Sequence, residues 1–186
     1  MSPMVLIAAF AVLTACATQQ PTIEYLDEVT AVTITYSRTP FVLSTGTSVD
    51  TARDYVQIGT IEVNRMGAHK YFLWLGISEV KYTELERQHP EEFESIVFVV
   101  GDEEFQLGIA GWTEAAIGAS EPIYEKLFRD TVDAYYEVTT EQIQRLADEN
   151  IMTFRTADPS PKEYTSWYRS VTAKDDLTEF LTIVAQ

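Results

Sequence analysis

Tyr55-Val56-Gln57-Ile58-Gly59-Thr60-Ile61-Glu62-Val63, the link Asn64-Arg65-Met66-Gly67-Ala68, and Tyr71-Phe72-Leu73-Trp74-Leu75-Gly76-Ile77 form the stretch on which the fold depends. Its first part alternates apolar and polar residues, the period of a half-buried strand. Val56 and Ile58 share one parity, whereas Ile61 and Val63 share the other, with Gly59 between them. A parity switch at a glycine predicts a β-bulge there. Asn64 to Ala68 reads as a turn. The heptad Tyr71–Ile77 is apolar on both faces, which places it in the middle of a sandwich or under a helix.

Working outward, Val32, Ile34 and Tyr36 alternate with Thr33 and Thr35, a second strand pattern. Pro40 punctuates, Phe41-Val42-Leu43 reads as a short strand, and Ser44 to Ser48 is a loop by composition. On the other side, residues 79–95 form a charged surface excursion with room for one helical turn. Glu84, Glu86, Glu91, Glu92 and Glu94 crowd there around Arg87, His89 and Pro90. Ile96–Val100 and Glu103–Ile109 are strands joined by Gly101-Asp102, a two-residue hairpin link in which glycine supplies positive φ. Gly111 to Ser120 is small and unpatterned. Pro122–Phe128 and Val132–Val138 read as further strands.

Val138-Thr139-Thr140-Glu141-Gln142-Ile143 is a helix start. Thr139 caps, Gln142 closes a capping box, and Val138 packs on Ile143 as a hydrophobic staple. Asn150 ends that helix, and Met152 and Phe154 alternate in a strand. Ala157–Lys162 is a loop. Thr172 caps a last helix whose Leu177, Phe180, Leu181 and Val184 make one apolar stripe. The fold class expected is mainly β: an antiparallel sandwich or curved sheet of about eight strands with two short helices near the C-terminus. Residues 23–186 are expected to form one domain.

The chain has 186 residues, and 46% of them are hydrophobic. That is enough apolar material for a full core, so disorder is not expected. Acidic residues number 29 against 13 basic ones, for a net charge of −16. Nucleic acid is therefore excluded as a partner class, because affinity for it comes from Lys and Arg on phosphates.

The N-terminus has a different character. Val5 to Leu13 is apolar, the first sixteen positions hold no charged side chain, and Leu13-Thr14-Ala15-Cys16 ends in the single cysteine of the chain. Polar Ala17-Thr18-Gln19-Gln20-Pro21 follows. The run is shorter than the roughly 20 apolar residues that a spanning helix needs. It fits the h-region of a secretory signal with a small-residue cleavage step. These residues resemble the lipobox signal of bacterial lipoproteins, and the resemblance covers residues 1–16. It implies that residues 1–15 are a signal peptide, that Cys16 is acylated, and that residues 16–22 are a lipidated tether. It also implies that the protein is held in the bacterial cell envelope by its lipid. Ala17 rather than Asp follows the cysteine, which points to the outer membrane facing the periplasm. With Cys16 acylated, no disulfide can form, and the fold must rest on burial alone.

Chemistry-bearing constellations are sparse. No G-x-S-x-G elbow exists, and Gly118-Ala119-Ser120 is its only faint echo. His69 and His89 stand twenty residues apart, too few and too distant for zinc, and His69 reads as a turn residue. Gly101-Asp102-Glu103-Glu104 and the Glu84–Glu94 cluster are candidates for divalent cations, or else solvated charge runs. Tyr164, Trp167 and Tyr168, with Arg155 and Arg169, could line a groove for sugar or peptide, or form the edge of a core. No cofactor is expected. The function expected is a membrane-anchored envelope lipoprotein with a non-enzymatic binding or scaffolding domain, whose partners are the membrane through Cys16 and another envelope protein. The alternatives are an envelope enzyme acting on glycan or peptide through paired carboxylates, and a periplasmic binder of divalent cations.

Overall fold

The computed structural model describes residues 20–46, 54–79, 90–148, 152–157, 161–166 and 173–185. The signal run, Cys16, Glu84, Glu86, Arg87, His89, Asn150, Trp167, Tyr168, Arg169 and Thr172 lie outside the described residues. The strands are β1 (Thr22–Asp27), β2 (Val32–Ser37), β3 (Phe41–Ser44), β4 (Tyr55–Arg65), β5 (Ala68–Ser78), β6 (Ser95–Val100), β7 (Glu103–Gly111), β8 (Val132–Val138), β9 (Thr153–Thr156) and β10 (Glu163–Ser166). Two helices follow late in the chain, α1 (Thr140–Asp148) and α2 (Ala173–Val184). The expected mainly-β fold with two short helices near the C-terminus is what forms.

The sheet is neither left open nor split into two layers. Strands β3, β4, β5, β8, β7, β6, β9 and β10 follow one another around a closed antiparallel barrel, and β4 meets both β3 and β5. The closing seam between β10 and β3 is short, running through Thr165↔Ser44 and Ser166↔Leu43. The hairpin of β1 and β2 is appended to β4, whose one edge takes β3 opposite Tyr55–Ile58 and β2 opposite Ile61–Asn64.

This arrangement explains the parity switch and removes the bulge expected at Gly59. The β4–β5 ladder runs without a break from Tyr55↔Ser78 to Arg65↔Ala68. Val56 and Ile58 join the interior cluster, with Leu73, Leu75, Phe98, Phe154, Tyr164 and both helices. Ile61 and Val63 face outward into a second cluster with Phe72, Trp74, Tyr124 and Tyr135. The chain does not change register; the side that is covered changes. The ladder irregularity lies elsewhere, between Ile109 and Gly111 on β7, where the strand leaves β8.

The covering layer on the outer face is irregular chain. Pro122–Phe128, expected as a strand, has no ladder partner. Its Ile123 and Tyr124 are buried on the outer face of β4 and β5. Tyr124 stacks on Trp74 at 4.6 Å between ring centroids, donates to the Thr60 carbonyl at 2.7 Å, and lies 3.0 Å from the Ser37 hydroxyl. The heptad Tyr71–Ile77 is thus apolar on both faces because the barrel interior takes one face and this segment the other.

Local signals form as their chemistry dictates. Met66 and Gly67 both have positive φ, the mark of a two-residue primed hairpin, and the Gly67 N–H donates to Asn64 Oδ1 at 2.8 Å. His69, expected in the turn, is instead the second residue of β5, with Nδ1 2.7 Å from Glu62 Oε1. The capping box closes in both directions: the Thr139 N–H donates to Gln142 Oε1 at 2.9 Å, and the Gln142 N–H to Thr139 Oγ1 at 3.2 Å. Val138 and Ile143 are both buried in the interior cluster, as a staple requires. Leu177, Phe180 and Leu181 of α2 join the same cluster, and α2 packs against α1 and against β2 and β1. Thr22, read as tether, already opens β1 and is buried.

Candidate functional site

Of the residues expected to line an aromatic groove, Arg155 and Tyr164 are described. Arg155 lies opposite Glu163, and Tyr164 lies opposite Phe154, so the two side chains leave opposite faces of the sheet. Tyr164 is fully buried and stacks on Phe154 at 4.9 Å between ring centroids. Arg155 is on the outside, 2.5 Å from Glu104. Tyr164 is core. The acids of the β6–β7 tip are likewise engaged: Glu103 pairs with Arg145 at 2.8 Å, and Glu104 with Arg155. Among the described residues, no group of three or more His, Cys, Asp or Glu could hold a metal ion.

Two features that sequence reading did not single out are more informative. The first is a buried ionic cluster at the barrel end where β4, β6, β8 and β10 begin. Glu79, expected on the surface, has a fully buried side chain that accepts from Lys162 Nζ and the Tyr164 hydroxyl. Lys162 Nζ also lies 3.9 Å from Asp54 and 3.8 Å from Glu92. The strand ends supply the placement: Glu79 just follows β5, Asp54 just precedes β4, and Lys162 just precedes β10. Lys162 is held by its backbone, since its N–H donates to Thr156 Oγ1 at 2.9 Å and its carbonyl accepts from the Thr156 N–H at 3.0 Å. Both Glu79 oxygens already accept hydrogen bonds, so this carboxylate acts as an internal counter-ion. Glu79 and Lys162 are 83 residues apart, so no local pattern could have paired them.

The second feature is the edge of β1. Among the described residues, β1 pairs only with β2. The Arg38 N–H donates to the Pro21 carbonyl at 2.6 Å, which fixes the hydrogen-bonding phase of this ladder. Antiparallel ladders alternate, so the backbone N–H and C=O groups of Thr22, Glu24 and Leu26 turn to the outer edge. Leu26 is 60% exposed, and Val29 in the following turn is 81% exposed.

Asp27 fixes the far end of this edge. Its carboxylate accepts from the backbone N–H groups of Val29 (3.0 Å), Thr30 (3.1 Å) and Ser120 (2.7 Å), and from the Ser120 hydroxyl (2.8 Å). Burial works to raise its pKa, but the hydrogen bonds from Ser120 and Thr30 outweigh burial and hold it at about 2. The hairpin is therefore pinned to the covering layer, and the edge is presented by a braced strand. An edge strand can add an extended segment from another chain, with backbone bonds giving affinity and alternate side chains giving specificity.

Comparison of the chain with protein-family models, with curated proteins and with solved structures gives no match.

Proposed function

We propose that this protein is a lipid-anchored component of the bacterial envelope, held through Cys16 and facing the periplasm from the outer membrane. Its barrel serves as a non-enzymatic binding module, and β1 is its binding strand. The observation that carries the reading is the outward phase of Glu24 and Leu26, both exposed, on a strand that no described residue pairs from outside. An edge strand presents unpaired N–H and C=O groups that can template pairing with another chain. The partner segment is extended and basic, because Glu24 and Glu28 flank the edge of a chain whose net charge is −16.

Photo-crosslinking in the living envelope tests this. A photoreactive residue at position 24 or 26 is expected to trap one discrete protein, and the same residue at Met66 is not. Glu24→Pro removes one outward N–H, a change that edge strands tolerate. It is expected to abolish the adduct while leaving the melting temperature within a few degrees. Equal adducts at all three positions, or none, would contradict the reading.

A further inference from the structure

We infer that Leu127 and Phe128 form a second membrane contact beside the anchor, seated in the headgroup region of the lipid surface that holds Cys16. The inference rests on acylation of Cys16 and concerns which part of the domain then meets the lipid.

Reach is the first argument. Gln20, where the described chain enters the domain, is four residue steps on from Cys16. At no more than ~3.5 Å per residue, Gln20 sits within about 14 Å of the acylated cysteine, whatever path the chain takes.

The ladders give the second. Thr22 lies opposite Ser37, and Tyr36 opposite Ile61. Ser37 is therefore level with Thr60, and the Thr60 N–H indeed donates to its hydroxyl at 3.2 Å. Counting back along β1 and β4 in step, Gln20 is level with Ile58. The Leu127 N–H donates to Gln57 Oε1 at 2.9 Å, and the Phe128 ring lies 6.2 Å from that of Tyr55, between centroids. Tyr55 is three residues beyond Ile58 toward the end from which the tether leaves, roughly 10 Å at the strand rise. Leu127 and Phe128 thus project past Gln20 by a distance that lies within the reach of the acylated cysteine.

Exposure and charge agree with this placement. Leu127 is 53% exposed and Phe128 49%, two adjacent large apolar side chains on the surface. Glu125, Asp130 and Asp133 stand against Lys126 and Arg129, with Lys126 paired to Asp133 at 2.5 Å, so this spot carries only a small part of the chain's net charge of −16. It can approach headgroups that would repel the rest of the surface. Leu26, Val29 and Met66, the more exposed apolar residues, lie toward the opposite end, at or beside the β1–β2 and β4–β5 turns. Two inserted side chains would also orient the barrel, with the end holding Glu79 and Lys162 toward the lipid and α1 and α2 away from it.

The test uses the full-length acylated protein in phosphatidylcholine vesicles. Cys16 is the only native cysteine and is blocked by its lipid, so a cysteine introduced as Phe128→Cys can carry an environment-sensitive fluorophore alone. Met66→Cys is the comparison. Vesicle flotation and intact mass first report whether the protein is anchored through Cys16. With anchoring established, the probe at 128 is expected to emit at shorter wavelength and to be quenched several-fold more by doxyl-labelled lipid than the probe at 66. An anchored protein whose probe at 128 is as aqueous as that at 66 overturns the inference and leaves the anchor standing. A protein that neither floats nor carries acyl mass overturns both.

Discussion

The ring of Tyr124 occupies the space that a side chain at Gly59 would need: a Cβ there would lie 2.2 Å from Tyr124 Cζ and 2.5 Å from its hydroxyl oxygen. The glycine is not a bulge residue. It is the point where an irregular segment comes down on the barrel wall. Gly59→Ala is expected to cost about 1–3 kcal/mol through overpacking. In a Tyr124→Ala background most of that cost should vanish, since the ring that opposes the methyl is gone. Chemical denaturation of the four proteins of the cycle measures this. An unchanged cost in that background would place the strain elsewhere.

Tyr124 also carries hydrogen bonds. Tyr124→Phe leaves the Thr60 carbonyl and the Ser37 hydroxyl without this partner inside a buried contact, an expected loss of about 1–3 kcal/mol. Loss below a few tenths would mean that the stacking on Trp74, and not the hydroxyl, holds the covering layer.

Asp27 gives a pH dependence. Its folded pKa of about 2 is below the ordinary value, so its contribution is present above the unfolded pKa, near 3.9, and fades as pH falls from there toward 2. Asp27→Asn removes that contribution. Urea midpoints of the wild type and Asp27→Asn are expected to differ at pH 6 and to converge as pH approaches 2. A gap that persists in acid would show that the Asp27 hydrogen bonds do not depend on its charge.

Lys162 is the cation of the buried cluster. Lys162→Met leaves the fully buried Glu79 carboxyl without its ammonium partner, and is expected to cost about 2–4 kcal/mol, discounted for the partial exposure of Lys162. Replacing Glu79 by Gln in the same chain should recover part of that loss, because the buried carboxyl left without its partner is removed. The double variant proving less stable than Lys162→Met would contradict the pairing.

What the sequence discloses here is local. Thr139 and Gln142 can be read as a capping box because both partners lie within one turn, and Gly101-Asp102 as a hairpin link because its geometry needs only two residues. Closure of the barrel depends on β3 meeting β10 across the length of the chain, which no local pattern encodes. Gly59 misleads for a related reason: the alternation of β4 is continuous, but interior burial of Val56 and Ile58 gives way to exterior burial of Ile61 and Val63. Pro122–Phe128 has the apolar content of a strand and no edge to pair with, since β4 already meets β2, β3 and β5. Tyr164 was legible as an aromatic near Arg155, but the alternation of β9 and β10 sends the two to opposite faces. The outward phase of Glu24 and Leu26 is not legible in the sequence, because it depends on the register of the β1–β2 ladder.

The most direct test of the account is the fate of Cys16. Full-length protein and a Cys16→Ser variant, expressed in a bacterial host, are fractionated and weighed intact. The account expects wild type in the membrane fraction with an acyl mass on an N-terminal Cys16, and the variant released from the membrane. Wild type that stays out of the membrane with residues 1–15 still attached would contradict it, and the envelope location, the lipid contact and the periplasmic partner would fall with it.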